Sequence, residues 1–352
     1  MTFSRNLTLG ARALGDGAPC FVAAEIGINH NGDLSLAREM IFAAARAGVD
    51  GVKFQNYRTE DFITDRSLMY RYERDGVMHE ISQFDLFKQS ELDAAALMQL
   101  SAWCAEAGVT FFSTPTGPEG LQDLVRAGAP LVKNGSDYLT HVALIAEMAR
   151  SGLPTVLSTG MAVSEEIDDA VRAYREAGGT KLVLLHCTSA YPTPDDEVNL
   201  ARIPALAERY GCLIGFSDHT WGVQAAVGAV ALGAMFIEKH FTTDKNLPGP
   251  DQHFSSDEAE LRELVESVRR FEKQRGSVAG GPTKAEAEGR VQFRLSCVAA
   301  HDLPAGHVLA ESDIAFRRPG DGLPPRDVHT LIGHRLRTAK PRGARLQRGD
   351  VE

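Results

Sequence analysis

Two tripeptides, Ser217-Asp218-His219 and Glu238-Lys239-His240, each end a short apolar run, Leu213 to Phe216 and Met235 to Ile237. On an extended chain side chains two apart point the same way, so Ser217 goes with His219 and Glu238 with His240. Two imidazoles on neighbouring strands could share one metal ion, a Lewis acid able to polarise a carbonyl oxygen. The alternative is that each histidine caps its own strand by bonding a backbone carbonyl. Lys53 and Gln55 share a face of another apolar run, and Lys133 and Ser136 close a further one. Two lysines flanked by Thr114, Ser136, Ser158 and Ser217 make a donor-rich pocket for a phosphate or carboxylate. Lysines paired to carboxylates across strands are the alternative. Glu25 is the one carboxylate on a run of otherwise apolar and small residues, placed as a general acid or base or as a ligand of a substrate hydroxyl.

These residues need strands to carry them. After a hairpin expected over Phe3 to Leu14 with its turn at Gly10, buried strands are expected at Cys20–Gly27, Gly51–Tyr57, Thr110–Pro115, Leu131–Ser136, Pro154–Gly160, Lys181–Cys187 and the two runs above. Each is apolar on both faces, as parallel strands covered by helices must be. Helical patterns separate them, including Leu34–Ala47, Glu91–Ala107, Pro118–Ala127, Ser164–Ala177 and Leu200–Tyr210, and Asp257–Lys273 follows the last. Eight alternating units are the count of an α/β protein of the (β/α)8, or TIM-barrel, class. A doubly wound open sheet competes, but it would not ordinarily place chemically capable residues at the carboxyl end of nearly every strand. The second unit carries a long insertion, Arg58 to Ser90, without clear periodicity, of the kind that shapes a substrate pocket. The barrel domain, hairpin included, is assigned to residues 1–275 and a Gly- and Ala-rich linker to 276–289. A small β-rich module of short strands between Pro and Gly turns takes residues 290–352.

Composition narrows the function classes. Of 352 residues 43% are hydrophobic and 24% charged, values of an ordinary globular protein. The net charge of -10 argues against nucleic acid as a partner. No stretch is long and apolar enough for a membrane span, and the first residues lack the pattern of a secretory signal, so a cytoplasmic location is expected. The 5 cysteines are odd in number and scattered, which points to buried reduced thiols rather than disulfides or a zinc cage. Charge is uneven: from Arg290 onward there are 11 Lys and Arg against 7 Asp and Glu, so a basic module of +4 follows an acidic body of -14.

The chain resembles the bacterial sialic acid synthases and their relatives for other nine-carbon sugars, the nonulosonates, over almost its whole length. The matching segments are Ala24 to Gly32 (AEIGINHNG), Val52-Lys53-Phe54-Gln55, Ser113-Thr114-Pro115, Leu157 to Met161 (LSTGM), His186-Cys187-Thr188 with Tyr191-Pro192-Thr193-Pro194, Phe216 to Thr220 (FSDHT), Glu238 to Phe241 (EKHF) and Pro248-Gly249-Pro250-Asp251. Arg318-Pro319-Gly320-Asp321-Gly322 looks like part of the antifreeze-like (SAF) domain of these enzymes.

The resemblance implies condensation of phosphoenolpyruvate with the open-chain aldehyde of N-acetylmannosamine or a 2,4-diacetamido-2,4,6-trideoxyhexose. It implies assistance from a divalent metal, most often Mn2+, with Mg2+ or Co2+ as alternatives. By position, His219 and His240 would bind the metal. Lys53, Thr114, Lys133, Ser136, Ser158 and Ser217 would hold phosphoenolpyruvate, and Gln55, Tyr191, Asp251 and Arg318 would face the sugar. Glu25 would orient or deprotonate the water that attacks the old enol carbon. His30, Asn29 and His186 are read as loop-fixing. A domain-swapped homodimer is implied, in which Arg318 of one chain completes the site of the other. The last barrel helix ends at the face opposite the chemistry, so a return in cis leaves little slack. Two stretches depart from the sialic acid synthase pattern: Asn134 and Tyr138 replace an apolar residue and a glutamate around the fourth strand, and Ser189 stands where Asn is frequent. Both bear on the acceptor more than on the reaction. The competing functions are a phosphoenolpyruvate condensation on a phosphorylated aldose and a non-catalytic sugar-binding scaffold.

Overall fold

The computed structural model describes residues 2–74 and 77–352. It divides into two units, Met1–Gly276 and Ser277–Glu352. The first opens with an antiparallel hairpin, β1 (Asn6–Leu9) and β2 (Arg12–Gly15). The parallel strands and the insertion follow as β3 (Phe21–Gly27), β4 (Gly51–Asn56), β5 (Met69–Arg74), β6 (Val77–Ser82), β7 (Thr110–Pro115), β8 (Val132–Asn134), β9 (Thr155–Ser158), β10 (Leu182–Cys187), β11 (Leu213–Asp218) and β12 (Phe236–His240). Eight of them form one sheet in the order β7-β4-β3-β12-β11-β10-β9-β8. The two end strands, β7 and β8, lie against each other and curl the sheet into a (β/α)8 barrel.

Every barrel strand is buried on both faces because two different apolar layers claim its alternate residues. The outward residues pack under the helices, as Val22, Val52, Ile214 and Ile237 do. The inward residues fill the amino-terminal half of the barrel, where Phe21, Phe112, Val156, Leu185, Leu213 and Phe236 meet Leu7, Leu9 and Leu14 of the hairpin. Phe21 and Phe236 stack with ring centroids 4.9 Å apart. The hairpin therefore closes the end of the barrel opposite the polar strand ends.

Helix boundaries follow side-chain chemistry. Leu34–Ala47 starts where the Asp33 carboxylate accepts from the backbone N–H groups of Ser35 and Leu36 and stops at Gly48, with φ 90°. The helix read as starting at Glu91 begins at Ala94, because Asp93 caps it. Around the fourth barrel strand the extended segment is shorter than the sequence suggests. It ends at Asn134, and Ser136 sits on a 3-10 turn, Ser136–Tyr138. The insertion is also more ordered than its lack of periodicity implied, folding into a short helix (Thr59–Phe62), the β5/β6 hairpin and a second helix (Gln83–Gln89).

The second unit pairs β13 (Ser296–Ala299) with β14 (Ile314–Arg317), antiparallel. Single bridges such as Val308 to Arg335 and Leu336 to Val351 draw its turns around a small core of Cys297, Leu309, Leu331, Leu336 and Leu346. A short helix, Ala287–Gln292, precedes β13, so residue 290, taken as the start of the module, falls inside a helix. All five cysteines are free and buried. Among the described residues no helix is long and apolar enough to cross a membrane.

Candidate active site

Strand register builds the site. Ser217 of β11 pairs with Glu238 of β12, His240 with Glu25 of β3, and Glu25 with Lys53 of β4. Because paired residues of parallel strands face the same side, a polar row crosses four adjacent strands just above the inner apolar layer. Asp218 and Lys239, one residue out of phase, face the other way. There Lys239 Nζ lies 2.9 Å from Asp218 Oδ2 and also donates to Thr220 O, while the other Asp218 oxygen accepts from Thr220. This pair is wholly buried behind the two histidines and ties the ends of β11 and β12 together. Lys239→Met strands a buried carboxylate, and the expected loss is about 3–5 kcal/mol in urea unfolding.

Inside, the row becomes an ionic network. Lys53 Nζ lies 2.7 Å from Glu25 Oε2 and 3.2 Å from Thr114 Oγ1, and Gln55 Nε2 donates to Glu25 Oε1 at 3.3 Å. Lys133 Nζ is 3.3 Å from Glu238 Oε1, which also accepts from Ser217 Oγ at 3.3 Å. Burial would lower the pKa of Lys53, but Glu25 and Glu238 outweigh it and hold the ammonium above its usual range. Burial would likewise raise Glu238, yet Lys133 and Lys53 pull it below the carboxylate range. Glu25 goes up to about 7, through burial first, with Lys53 opposing and Glu238 adding. Gly27 is required beside it: its φ is 54°, β3 shifts register there, and a Cβ would stand 2.8 Å from Glu25 Oε1.

His219 and His240 face each other with ring centroids 5.2 Å apart. His219 Nδ1 donates to Thr188 O at 2.9 Å, so that in the neutral ring the lone pair lies on Nε2. His240 Nδ1 is buried without a hydrogen-bond partner, Asp251 Oδ2 being 3.8 Å away. Burial, then the charge on His219, keeps the His240 pKa well below the usual value, so this imidazole is neutral. Asp251 is raised to about 6 by burial, against His219 and Lys53. Tyr191 packs on both imidazoles, its ring centroid 4.3 Å from that of His219 and 5.9 Å from that of His240. His219 thus bonds a backbone carbonyl, as the alternative reading of the sequence has it, whereas His240 Nδ1 bonds none.

All these groups line one cavity of about 330 Å³. It brings together Glu25, Lys53, Gln55, Thr114, Lys133, Ser136, Ser158, Tyr191, Ser217, His219, His240 and Asp251, the barrel residues that the resemblance assigns to metal, phosphoenolpyruvate, sugar or water. Ser136 Oγ accepts from the backbone N–H of Gly160 at 3.1 Å, and a Cβ at Gly160 would collide with Ser136 and Ser189. Besides His240 Nδ1, the buried Tyr57 Oη, Ser158 Oγ and Glu238 Oε2 of the lining have no hydrogen-bond partner among the described residues, and Glu25 Oε2 has only its ion pair with Lys53. Unpaired polar atoms gathered in one cavity are groups kept for a ligand. Arg318 belongs to the second unit, where it is exposed and its guanidinium lies 5.3 Å from the ring centroid of Phe293.

Sequence reasoning missed two residues of the site. Glu238 is the hub of the ionic network, and its signal was the alternation that sets it beside His240. Cys187, whose Sγ is 3.9 Å from His219 Nδ1, also lines the cavity. Of the departures, Ser189 lines the cavity, whereas Tyr138 stacks on His141 with centroids 6.1 Å apart and lies outside the lining. His186, Asn29 and His30 fix loops: His186 Nε2 donates to Val198 O, Asn29 Nδ2 donates to Phe241 O, and His30 Nδ1 accepts from the Gly32 N–H.

Residues 40–279 match the NeuB family and residues 296–352 match the SAF domain. The chain is 35% identical over 331 residues to the N,N'-diacetyllegionaminic acid synthase of Legionella pneumophila, covering 93% of each chain. It is 31% identical to a pseudaminic acid synthase of Campylobacter jejuni, covering 94% of this chain and 96% of that one. Among solved structures, the N-acetylneuraminic acid synthetase of Leptospira borgpetersenii superposes with a TM-score of 0.73 at 33% identity, over 82% of this chain and 96% of that one. Fold, site and relatives converge, and the chain is an enzyme that belongs to the NeuB family and carries a SAF domain.

Proposed function

We propose that the enzyme is a nonulosonate synthase, joining phosphoenolpyruvate to the open-chain aldehyde of an N-acylated mannosamine-type sugar and releasing phosphate. The observation that carries this reading is the side-by-side placement of a two-lysine donor pocket and two buried imidazoles in a cavity closed at its far end. Lys53, Lys133, Thr114, Ser136, Ser158 and Ser217 supply the charge-assisted donors that a phosphate and a carboxylate on one three-carbon skeleton require. Gln55, Tyr191 and Asp251 border the space left for the acceptor.

The imidazoles fit a divalent metal, Mn2+ by resemblance. One has its ring nitrogen fixed by Thr188 O, and the other is neutral with an unpaired Nδ1. Among the described residues no cluster of three or more His, Cys, Asp or Glu is arranged to hold an ion, so His219 and His240 would leave coordination positions open. A metal there would polarise the aldehyde oxygen and make its carbon electrophilic. The pocket residues hold the enol carbon C3 against that aldehyde carbon, and a C–C bond forms as positive charge develops at C2. Glu25, raised by burial to about 7, orients a water toward C2 and takes its proton. Loss of phosphate from C2 then leaves the ketone of a nine-carbon 2-keto acid. Lys53 and Lys133 favour that step by neutralising the departing dianion.

We propose further that the working unit is a homodimer in which Arg318 of one chain serves the barrel of the other. The support is its exposure, the opposite charges of the two parts and the family resemblance. Co-expression of Arg318→Ala with Glu25→Ala tests it: purified mixed dimers are expected to regain about half the wild-type activity, one site of two, and mixed dimers as inactive as both parents contradict it. The reaction itself is tested by sugar-dependent phosphate release. Release that needs a phosphorylated aldose would replace this reading with the other phosphoenolpyruvate condensation.

A further inference from the structure

The insertion gives the cavity four of its lining residues, Phe62, Tyr70, Leu86 and Phe87, and among the described residues of the insertion only Tyr70 brings a polar group to the lining. Alternation along the β5/β6 hairpin carries it there. Tyr70 stands opposite Ile81 and Tyr72 opposite His79, so these four side chains share one face. Arg71 and Glu80, 3.3 Å apart, are paired and exposed on the other. Ile81 packs against Ile28, Tyr57 and Leu86. Tyr72 docks the hairpin a second time: its ring stacks on that of His79 at 5.3 Å and on that of His253 at 6.4 Å, with interplanar angles of 17° and 23°. His253 is itself fixed, its Nδ1 donating to Pro250 O at 3.0 Å and its ring meeting Phe254 edge to face. The same short segment carries Asp251, and Phe254 packs on His240 with centroids 5.0 Å apart. A stack of rings therefore sets the hairpin against the stretch that brings Asp251 to the cavity.

The Tyr70 hydroxyl makes no hydrogen bond among the described residues. Burial, then the charge of Asp251, raises its pKa to about 12, so it stands at the cavity as a protonated donor near a carboxylate. A sugar hydroxyl gives one hydrogen bond and takes others, and such a pair satisfies both halves. We infer that Tyr70 is a further sugar-binding residue of the condensation proposed above, on which this inference rests: Tyr70 donates to a hydroxyl oxygen of the sugar, and Asp251 accepts from the same hydroxyl. Tyr72 is the positioning residue, because its stack on His253 holds the hairpin where Tyr70 meets Asp251.

The test is steady-state kinetics of the full-length enzyme with phosphoenolpyruvate and Mn2+, using whichever of N-acetylmannosamine and 2,4-diacetamido-2,4,6-trideoxymannose it turns over faster. Tyr70→Phe removes an oxygen that bonds nothing in the free enzyme, so its melting temperature is expected to hold. Its kcat/KM for the sugar is expected to fall roughly tenfold, mainly through KM, while KM for phosphoenolpyruvate stays within about twofold. Tyr72→Leu is expected to lower kcat/KM for the sugar about as much, and Tyr72→Phe, which keeps the stack, to restore it. In the Tyr70→Phe background Tyr72→Leu should cost less than about threefold more, because the hydroxyl it positions is already gone. A wild-type KM for the sugar in Tyr70→Phe overturns the binding role and leaves the condensation standing. Losses in the two variants that multiply overturn the positioning role. No sugar-dependent phosphate release from the wild-type enzyme overturns the condensation, and the inference with it.

Discussion

His240→Ala is expected to abolish sugar-dependent phosphate release, by about 10³-fold or more, and His219→Ala to do the same. The barrier in question is attack by a weak carbon nucleophile on an unactivated aldehyde, and Lewis-acid polarisation of a carbonyl is worth several kcal/mol of charge stabilisation. The donors that would hold phosphoenolpyruvate sit on β4, β7, β8, β9 and β11 and on the turn after β8, and they keep their positions when either ring is lost. Binding of phosphoenolpyruvate, read by quenching of intrinsic fluorescence, is therefore expected to weaken but persist. Direct titration of Mn2+ by electron paramagnetic resonance should show the ion lost from both variants. Full activity in either variant after chelation and return of Mn2+ contradicts the ligand assignment.

Glu25→Gln is expected to lower kcat by about 10²- to 10⁴-fold, the range for removing a positioned acid or base. The amide keeps the shape and the hydrogen-bond acceptor toward Gln55, so the loss is one of charge and basicity. Lys53 loses one of its two carboxylate neighbours, but Glu238 remains 4.0 Å away. The pH profile separates this role from a structural one. Burial raises the Glu25 pKa to about 7. A base works only when ionised, and the ionised fraction falls as pH drops through that value. Wild-type kcat/KM is expected to decline about tenfold per pH unit below 7, and in Glu25→Gln this limb should vanish, leaving a flat residual rate. An acid limb that persists unchanged in the variant assigns it to another group.

Much of this site is legible in the amino-acid sequence because its elements obey local rules. Strands buried on both faces are short apolar runs, and the period of two assigns His219 and His240 to one side and Asp218 and Lys239 to the other. Register does the rest, setting Glu25 between His240 and Lys53. What escapes depends on partners far along the chain. Nothing local marks Glu238 as the ligand of Lys133, since the two lie on strands not paired to one another. The β5 strand reads MYRYER and has no apolar face to betray it; among the described residues it pairs only with β6. The edge-to-face contacts of Tyr57, Phe62 and Phe87 are hidden for a related reason, since the three rings meet only when the insertion folds back on the end of β4. Ser136 reads as a strand residue because the apolar run leads into it, whereas Gly135 turns the chain first.

The most direct measurement is the stoichiometry of one reaction mixture. Purified enzyme is incubated with phosphoenolpyruvate, Mn2+ and 2,4-diacetamido-2,4,6-trideoxymannose or N-acetylmannosamine, with inorganic phosphate assayed and the organic product weighed by mass spectrometry. The account predicts one phosphate released for each nine-carbon 2-keto acid formed, neither appearing without sugar and neither surviving chelation. Phosphate released without sugar, or no keto acid with either sugar at millimolar concentration, would contradict it.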